Sequence, residues 1–289
     1  MAADADNSSV TQRIDLDRLQ KLLRTRAFGR TVQYRSSTAS TNADALASLQ
    51  NLTAQAVPHG MVFLAEQQTA GRGRRGRTWH SPAEGNIYFS VIAVPRAETM
   101  RVGPWLSWVP LCAALATADS LTAVTGRAVD VKWPNDLLIG TKKLGGILCE
   151  QTTLPDRTLA IVIGIGLNVN ADVGRFPSDL QTTAISLAAE LGRPLDPVSL
   201  LAELFLYLEQ RLERLFQEGP AGMVGEFTRR CSTIGKVVRV NLEAQGVVEG
   251  LAESIGPDGC LCLRISSGNS PDNPPLLEVR SAEVVHLRG

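Results

Sequence analysis

Three clusters in this sequence carry residue types that handle anions. The first is Gly71-Arg72-Gly73-Arg74-Arg75-Gly76-Arg77, followed by Thr78 and Trp79. Glycines let a backbone turn through positive φ and present successive N–H groups to an anion. Interleaved arginines add forked, permanently charged donors suited to carboxylate and phosphate oxygens. Such a segment cannot bury itself without an anionic partner, so it is expected to be mobile when empty and ordered when a phosphate or carboxylate arrives. The second cluster is Lys132-Trp133-Pro134-Asn135-Asp136, then Lys142, Lys143, Leu144, Gly145, Gly146, Ile147 and Leu148. Trp-Pro breaks a strand and aims Asn135 and Asp136 into whatever cleft lies at its end, with the lysines placed as if across a hairpin. A lysine there would neutralise charge developing between a carboxylate and a phosphate. The third, Gly164-Ile165-Gly166-Leu167-Asn168-Val169-Asn170, ends an apolar run. Its G-x-G is weak, and no helix start follows to make a dinucleotide-binding turn.

Each cluster also has a plainer reading: a solvated basic loop or RNA-binding tract, a strand–turn–strand with surface lysines, and a glycine-relieved strand end. Composition weighs on the first. Lys+Arg 29 balances Asp+Glu 29, and aromatic residues make up only 5% of the 289 residues. Proteins that coat nucleic acid or anionic membrane carry a net basic charge, and single-strand binders need stacking aromatics. Any basic site here is local.

The positioning elements follow from periodicity. Asp15 to Arg26 has leucines at helical spacing, predicting one short amphipathic helix, and there is room for little else before Ser36. A winged-helix DNA reader needs more than that. From Ser36 to about Asn170 strands and helices alternate. A helix starts at Asn42 with Ser40 or Thr41 as its cap. Strands are predicted at Gly60–Glu66, Asn86–Val94, Val129–Lys132, Leu144–Gln151 and Leu159–Gly166. Trp105–Val124 reads as a buried helix closed by Gly126, with Pro110 as its start or a kink. Its most apolar part, Leu111–Val124, is too short to span a bilayer. Asp196, Pro197 and Gly219 bracket a helix with a stripe of Leu201, Leu204, Phe205, Leu208, Leu212 and Leu215. After Arg230 come short β-patterned runs (Gly235–Leu242, Val247–Ala252, Leu261–Ile265 and Leu276–Leu287), predicting a small antiparallel barrel or sandwich with a mobile hairpin loop at Ser266–Pro275.

The expected organisation is a disordered tail over 1–12, an α/β domain over 13–230 and a small β domain over 231–289. Five cysteines without a C-x-x-C pair (Cys112, Cys149, Cys231, Cys260 and Cys262) argue against a zinc site or disulfide framework and favour a reducing compartment. Met1 to Val10 has no signal-peptide pattern. A cytoplasmic protein is expected, with no membrane partner and no chemistry on its thiols.

Together, Ser40-Thr41-Asn42, Gln68 with the basic loop, Lys132 to Asp136, Lys143 to Leu148 and Gly164 to Asn170 resemble the biotin protein ligase family, over nearly the whole chain from about Ser36 to Leu287. The resemblance implies an α/β fold of the α+β type, with a mixed-sheet catalytic domain followed by a small SH3-like β-barrel. It implies that biotin and ATP, with Mg2+, give biotinyl-5′-AMP and pyrophosphate. The biotinyl group then passes to one lysine of a biotin carboxyl carrier domain of a carboxylase. On this sequence it implies biotin contacts at Ser40, Thr41, Asn42, Gln68, Arg72, Gly73, Arg74 and Lys143. Nucleotide contacts fall at Arg72, Arg77, Trp79, Lys132, Asn135 and Asn168. The catalytic group is Lys143, Arg74 and Asp136, with Asp136 orienting or deprotonating the carrier lysine, and no metal ligand is assigned. Spacing favours Lys143 over Lys142.

The longer regulatory members carry an N-terminal winged helix that this sequence lacks, so operator binding is not expected. A long connection between Asn42 and Gln68 and the Ser266–Pro275 insertion leave carrier docking and homodimer formation open. A lipoate–protein ligase, a nucleic-acid-binding module and a catalytically dead biotin sensor are the rival readings.

Overall fold

The computed structural model describes residues 14–50, 52–53, 55–83, 85–95, 105–242, 246–265, 275–280 and 282–287. The predicted tail and all of the predicted 266–275 loop but Pro275 lie outside them. A seven-stranded sheet forms the larger unit: β1 (Val32–Thr38), β2 (Val62–Gln68), β3 (Ile87–Ala93), β4 (Asp130–Lys132), β5 (Asp136–Ile139), β6 (Lys142–Thr153) and β7 (Leu159–Leu167). Their order is β1-β2-β3-β7-β6-β5-β4, with β1 and β2 parallel and the other neighbours antiparallel, so the sheet is mixed.

Strand alternation divides the side chains between two cores. Val62, Leu64, Val91, Ile161 and Ile163 enter the main core, while Phe63, Ile92, Ala160 and Val162 enter a smaller one on the opposite face. The main core is closed by α1 (Leu16–Leu22), α3 (Trp105–Thr125) and α6 (Pro197–Glu218). The predicted leucine stripe of α6 is buried, and Phe205 meets Phe89 edge to face at 5.2 Å. Asp196 caps α6 at the backbone amides of Val198 and Ser199, and Gly219 ends it with positive φ, both as the sequence requires. Among the described helices, α2 (Thr41–Ser48) packs on the other face, joined there by Val57, Met61 and Leu154. That uneven cover leaves room for a site on the α2 side.

Several expectations need correction. Helix α3 does not begin at Pro110 but starts at Trp105 and runs through the proline, whose missing N–H costs one bond to the Leu106 carbonyl. At 21 residues it is long and apolar enough to cross a bilayer, yet 67% of its apolar window is buried in this core. Helix α1 stops at Leu22, since Leu23 turns extended. Strand β1 and the helices α4 (Ser178–Gln181), α5 (Leu187–Leu191) and α7 (Ala221–Arg230) were not foreseen. β1 is a largely exposed edge strand with little apolar alternation, and α7 buries only Met223 and Phe227.

The second unit is a five-stranded antiparallel sheet of β8 (Val237–Leu242), β9 (Gly246–Ile255), β10 (Leu261–Ile265), β11 (Leu276–Val279) and β12 (Glu283–His286), in the order β11-β10-β9-β8-β12. The predicted run Leu276–Leu287 is two strands that bond opposite edges of this sheet. β11 and β12 do not pair, so the described strands form an open sheet and not a closed barrel. The two units share one seam. Trp108 Nε1 donates to Pro257 O at 2.7 Å, Trp133 Nε1 to Gly259 O at 3.0 Å, and Ser232 N to Val131 O at 2.8 Å.

Candidate active site

Alternation on β7 makes the floor of a cavity. Ile163 and Ile165 fill the main core, so Gly164 and Gly166 face the α2 side without side chains. A Cβ on Gly166 would lie 2.5 Å from Trp79 Nε1, so the indole rests directly on that glycine. The cavity above has a volume of about 210 Å3. One wall is the start of α2. Thr41 N donates to Gln68 Oε1 at 2.9 Å, and Gln68 Nε2 donates to Ser81 Oγ at 3.0 Å. Ser90 Oγ, on β3, donates to Asn42 Oδ1 at 2.5 Å and lies 2.7 Å from Thr41 Oγ1. Ser40 occupies the N-cap position of α2, but its side chain makes no capping bond.

The basic loop forms a second wall and is folded as a hairpin. Trp79 N donates to Gly71 O at 2.9 Å, Gly73 N to Arg77 O at 2.7 Å, and Arg72 bridges Thr78. Arg75 and Gly76 turn the chain with φ of 56° and 73°. The anion that such a loop calls for is supplied, for Arg72, by the protein itself: Arg72 Nη2 lies 2.8 Å from Glu150 Oε2. Arg74 Nη1 points to Asn135 Oδ1 at 3.5 Å. Burial lowers the proton affinity of Arg74, and nearby Asp136 partly offsets this.

The third wall comes from the Lys132–Asp136 segment and β6. The Trp133–Pro134 peptide is cis, and the buried Trp133 indole anchors it to Gly259. Asn135 is held twice by Ile147, its Nδ2 donating to Ile147 O at 2.8 Å and its backbone carbonyl accepting from Ile147 N at 2.9 Å. Lys143 Nζ lies 2.7 Å from Asp136 Oδ1 and 5.1 Å from the centre of the Trp79 ring. Thr183 O and Ile185 N bond the backbone of Lys143 at 2.7 and 2.9 Å. Ala282, Val284 and Val285 of the second sheet complete the lining.

All but one of the residues named from sequence therefore line this cavity: Ser40, Thr41, Asn42, Gln68, Arg72, Gly73, Arg74, Arg77, Trp79, Lys132, Asn135, Asp136 and Lys143. The exception is Asn168. It is buried, its Nδ2 donates to Ile185 O at 3.1 Å, and it supports the segment that holds Lys143. Lys142 is exposed and outside the lining. Sequence reasoning missed Ser90, Ser81 and Glu150. For Ser90 a signal existed: a serine in the middle of an otherwise apolar and aromatic strand, here fully buried. Val284 and Val285 gave no signal, because only the docking of the second sheet brings them in.

Among the described lining residues Asp136 is the sole carboxylate, and it already holds Lys143. Among the described residues no three ligating side chains gather for a metal. That donor set builds no cage, and it suits a Mg2+ that arrives on a triphosphate and keeps its waters. Burial pushes the Cys112 thiol up to about 12 and raises Cys149 as well, so these thiols stay protonated.

The Biotin/lipoate A/B protein ligase family matches residues 34–168, the span that holds every site residue named above from Ser40 to Asn168. The biotin–[acetyl-CoA-carboxylase] ligase of Mycobacterium tuberculosis is 36% identical over 257 residues, 88% of this chain and 88% of that protein. The chain belongs to the biotin protein ligase family. The bifunctional ligase/repressor BirA of Bacillus subtilis is 32% identical over 246 residues, 85% of this chain and 73% of that protein. The solved biotin protein ligase from Aquifex aeolicus in complex with biotin and ATP shares the fold, with a TM-score of 0.72 over 90% of this chain and 100% of that one at 24% identity. The likeness in fold covers more of the chain than the family match over 34–168.

Proposed function

We propose that this chain activates biotin with ATP to biotinyl-5′-AMP and transfers the biotinyl group to a lysine of a biotin carboxyl carrier domain. The observation that carries this reading is the cavity itself, which Arg72 and Arg74 from one wall and Lys143 from another line together with Thr41, Asn42 and Gln68. Two anions must meet for the first step, and cations at fixed positions stabilise the charge that develops between them. A carboxylate oxygen of biotin bonds to the α-phosphorus, the bond to the β-phosphate oxygen breaks, and pyrophosphate leaves. In this reading Lys143 neutralises both the carboxylate and the α-phosphate. Trp79 Nε1, buried without a hydrogen-bond partner on the cavity wall, favours a ligand acceptor nearby. Mg2+ bound to the triphosphate would screen its charge.

In the second step the carrier amine bonds to the acyl carbon, AMP leaves, and the amine loses a proton. Asp136 is the base-like group of the cavity and orients that amine. The acyl adenylate hydrolyses readily, and the basic loop with Arg74 excludes water from it. Thr41, Asn42, Gln68 and Ser40 hold biotin, with Gly73 allowing close approach of the loop. Asn135, Arg77, Lys132 and Trp79 serve the nucleotide side, while Asn168 supports Lys143 from behind. The partner is a protein carrier and not nucleic acid, since the basic loop lines the pocket and the chain has zero formal charge. We read residues 13–230 as the catalytic domain and 231–289 as a small SH3-like domain, and place the protein in the reducing cytoplasm with its free thiols.

ATP–pyrophosphate exchange with purified protein tests the reading, with biotin and lipoate as parallel substrates. Biotin-dependent exchange is expected. Exchange with lipoate alone would move the chain to the lipoate ligases, and tight biotin binding without exchange would make it a sensor.

A further inference from the structure

Glu150 lies on β6, on the same strand face as Gly146 and Leu148 of the cavity lining, and the mechanism above makes no use of it. Its Oε2 accepts from Asn42 Nδ2 at 2.8 Å and from Arg72 Nη2 at 2.8 Å. A side-chain amide can sit either way round. Here the nitrogen of Asn42 faces Glu150 and Leu148 O, at 2.8 and 3.2 Å, and its oxygen receives Ser90 Oγ at 2.5 Å. A carboxylate only accepts, so it admits the nitrogen and rejects the oxygen. Glu150 thereby selects the orientation of a side chain on the pocket wall. Arg72, for its part, commits Nη2 of its planar fork to Glu150. The side chains of this pair are 43% and 27% exposed. A pair so open to solvent is weak, and an incoming carboxylate or phosphate can compete for the guanidinium.

We propose that Glu150 is a positioning residue that couples the basic loop to the biotin pocket. It sets the Asn42 amide, and it restrains Arg72 until a ligand anion takes the guanidinium over. This rests on the ligase reading and adds to it a residue that touches no substrate.

Glu150→Gln and Glu150→Ala separate the two duties. Glutamine keeps an oxygen for Asn42 but loses the charge that holds Arg72, and alanine loses both. Limited trypsin digestion of the empty protein, with the cuts mapped by mass spectrometry, reads the restraint. Cleavage after Arg72, Arg74, Arg75 and Arg77 should quicken about three- to tenfold in both variants, as expected when a weak local contact that closes a loop is lost. The biotin KM in ATP–pyrophosphate exchange reads the Asn42 amide. It should rise about tenfold in Glu150→Ala and less than about threefold in Glu150→Gln, the effect of one polar partner lost or kept, with kcat changing less in both. Wild-type cleavage rates in both variants, or an equal rise of KM in both, would overturn the proposal. If the alanine variant does not fold, Glu150→Gln decides by itself. Faster loop cleavage with near-wild-type biotin KM supports the coupling, and an unchanged cleavage rate overturns it. A wild-type protein without biotin-dependent exchange overturns the ligase reading instead, and the cleavage comparison still reads the restraint on Arg72.

Discussion

A Cβ placed on Gly164 would lie 2.1 Å from Asn42 Oδ1. No rearrangement of a flexible chain end relieves this contact, because Asn42 is held by Ser90, Leu148 and Glu150. Gly164→Ala should therefore displace Asn42 and weaken biotin binding about 5- to 100-fold, the range that overpacking a tight site produces. Calorimetric titration with biotin measures it. Unchanged affinity in a folded Gly164→Ala protein would remove Asn42 and the Gly164 floor from the biotin site.

Asp136→Asn should separate the two half-reactions. The amide retains an oxygen for Lys143, so adenylation, followed by pyrophosphate exchange, should fall less than about tenfold. The amide cannot take a proton from the carrier amine, so single-turnover transfer should fall about 100-fold or more, as for loss of a general base. Equal losses in both would leave Asp136 with only its contact to Lys143.

Arg74→Gly removes a guanidinium that lines the cavity and reaches towards Asn135. The loop should then release biotinyl-5′-AMP instead of retaining it. Free adenylate in the filtrate and biotin on lysines of a bystander protein are the expected signals. Acceptor selectivity like that of the wild type would count against a retaining role for Arg74.

His286 ties the second sheet to the Trp133 segment. Its Nε2 lies 3.1 Å from Thr233 Oγ1, which accepts the Trp133 N–H at 3.1 Å. Burial, aided by Lys132 and Lys236, brings the imidazole down from 6.5 to about 4. Between those values the unfolded chain binds the proton and the folded one does not, so this group makes stability rise with pH. Its contribution is complete above about pH 6.5 and is lost as the pH falls towards 4. Melting temperatures from pH 7.5 to 4.5 should fall less steeply for His286→Gln than for the wild type, by about a few degrees over the range. Parallel slopes would show that His286 does not titrate in this window.

Much of the site was legible in the sequence because its chemistry is carried by short contiguous segments. The basic loop, the Lys132–Asp136 turn and Lys143 each announce charge and backbone freedom within a few residues. The choice of Lys143 over Lys142 agrees with the placement of Lys143 on the cavity lining and Lys142 outside it. The same holds for α6, where capping residues and a six-member apolar stripe act within one element. Strand β1 and helix α7 were illegible, since their segments bury too little apolar surface to show a period.

By itself, then, the sequence determined the mixed α/β character, the ends of α6 and the residue types of the anion site, all properties of local pattern and covalent chemistry. Only the tertiary structure decided which of those residues meet. Alternation along β7 turned Gly164 and Gly166 towards α2, which makes them a floor instead of a strand end. The packing of α2 and of the basic loop against β6 brought Glu150 to Asn42 across 108 positions and to Arg72 across 78. Packing sent Asn168 behind Lys143, opened the second sheet where a barrel was expected, and set Val285 beside the pocket. The reason is physical: those relations depend on register and on the docking of distant surfaces, and no window of neighbouring residues contains them.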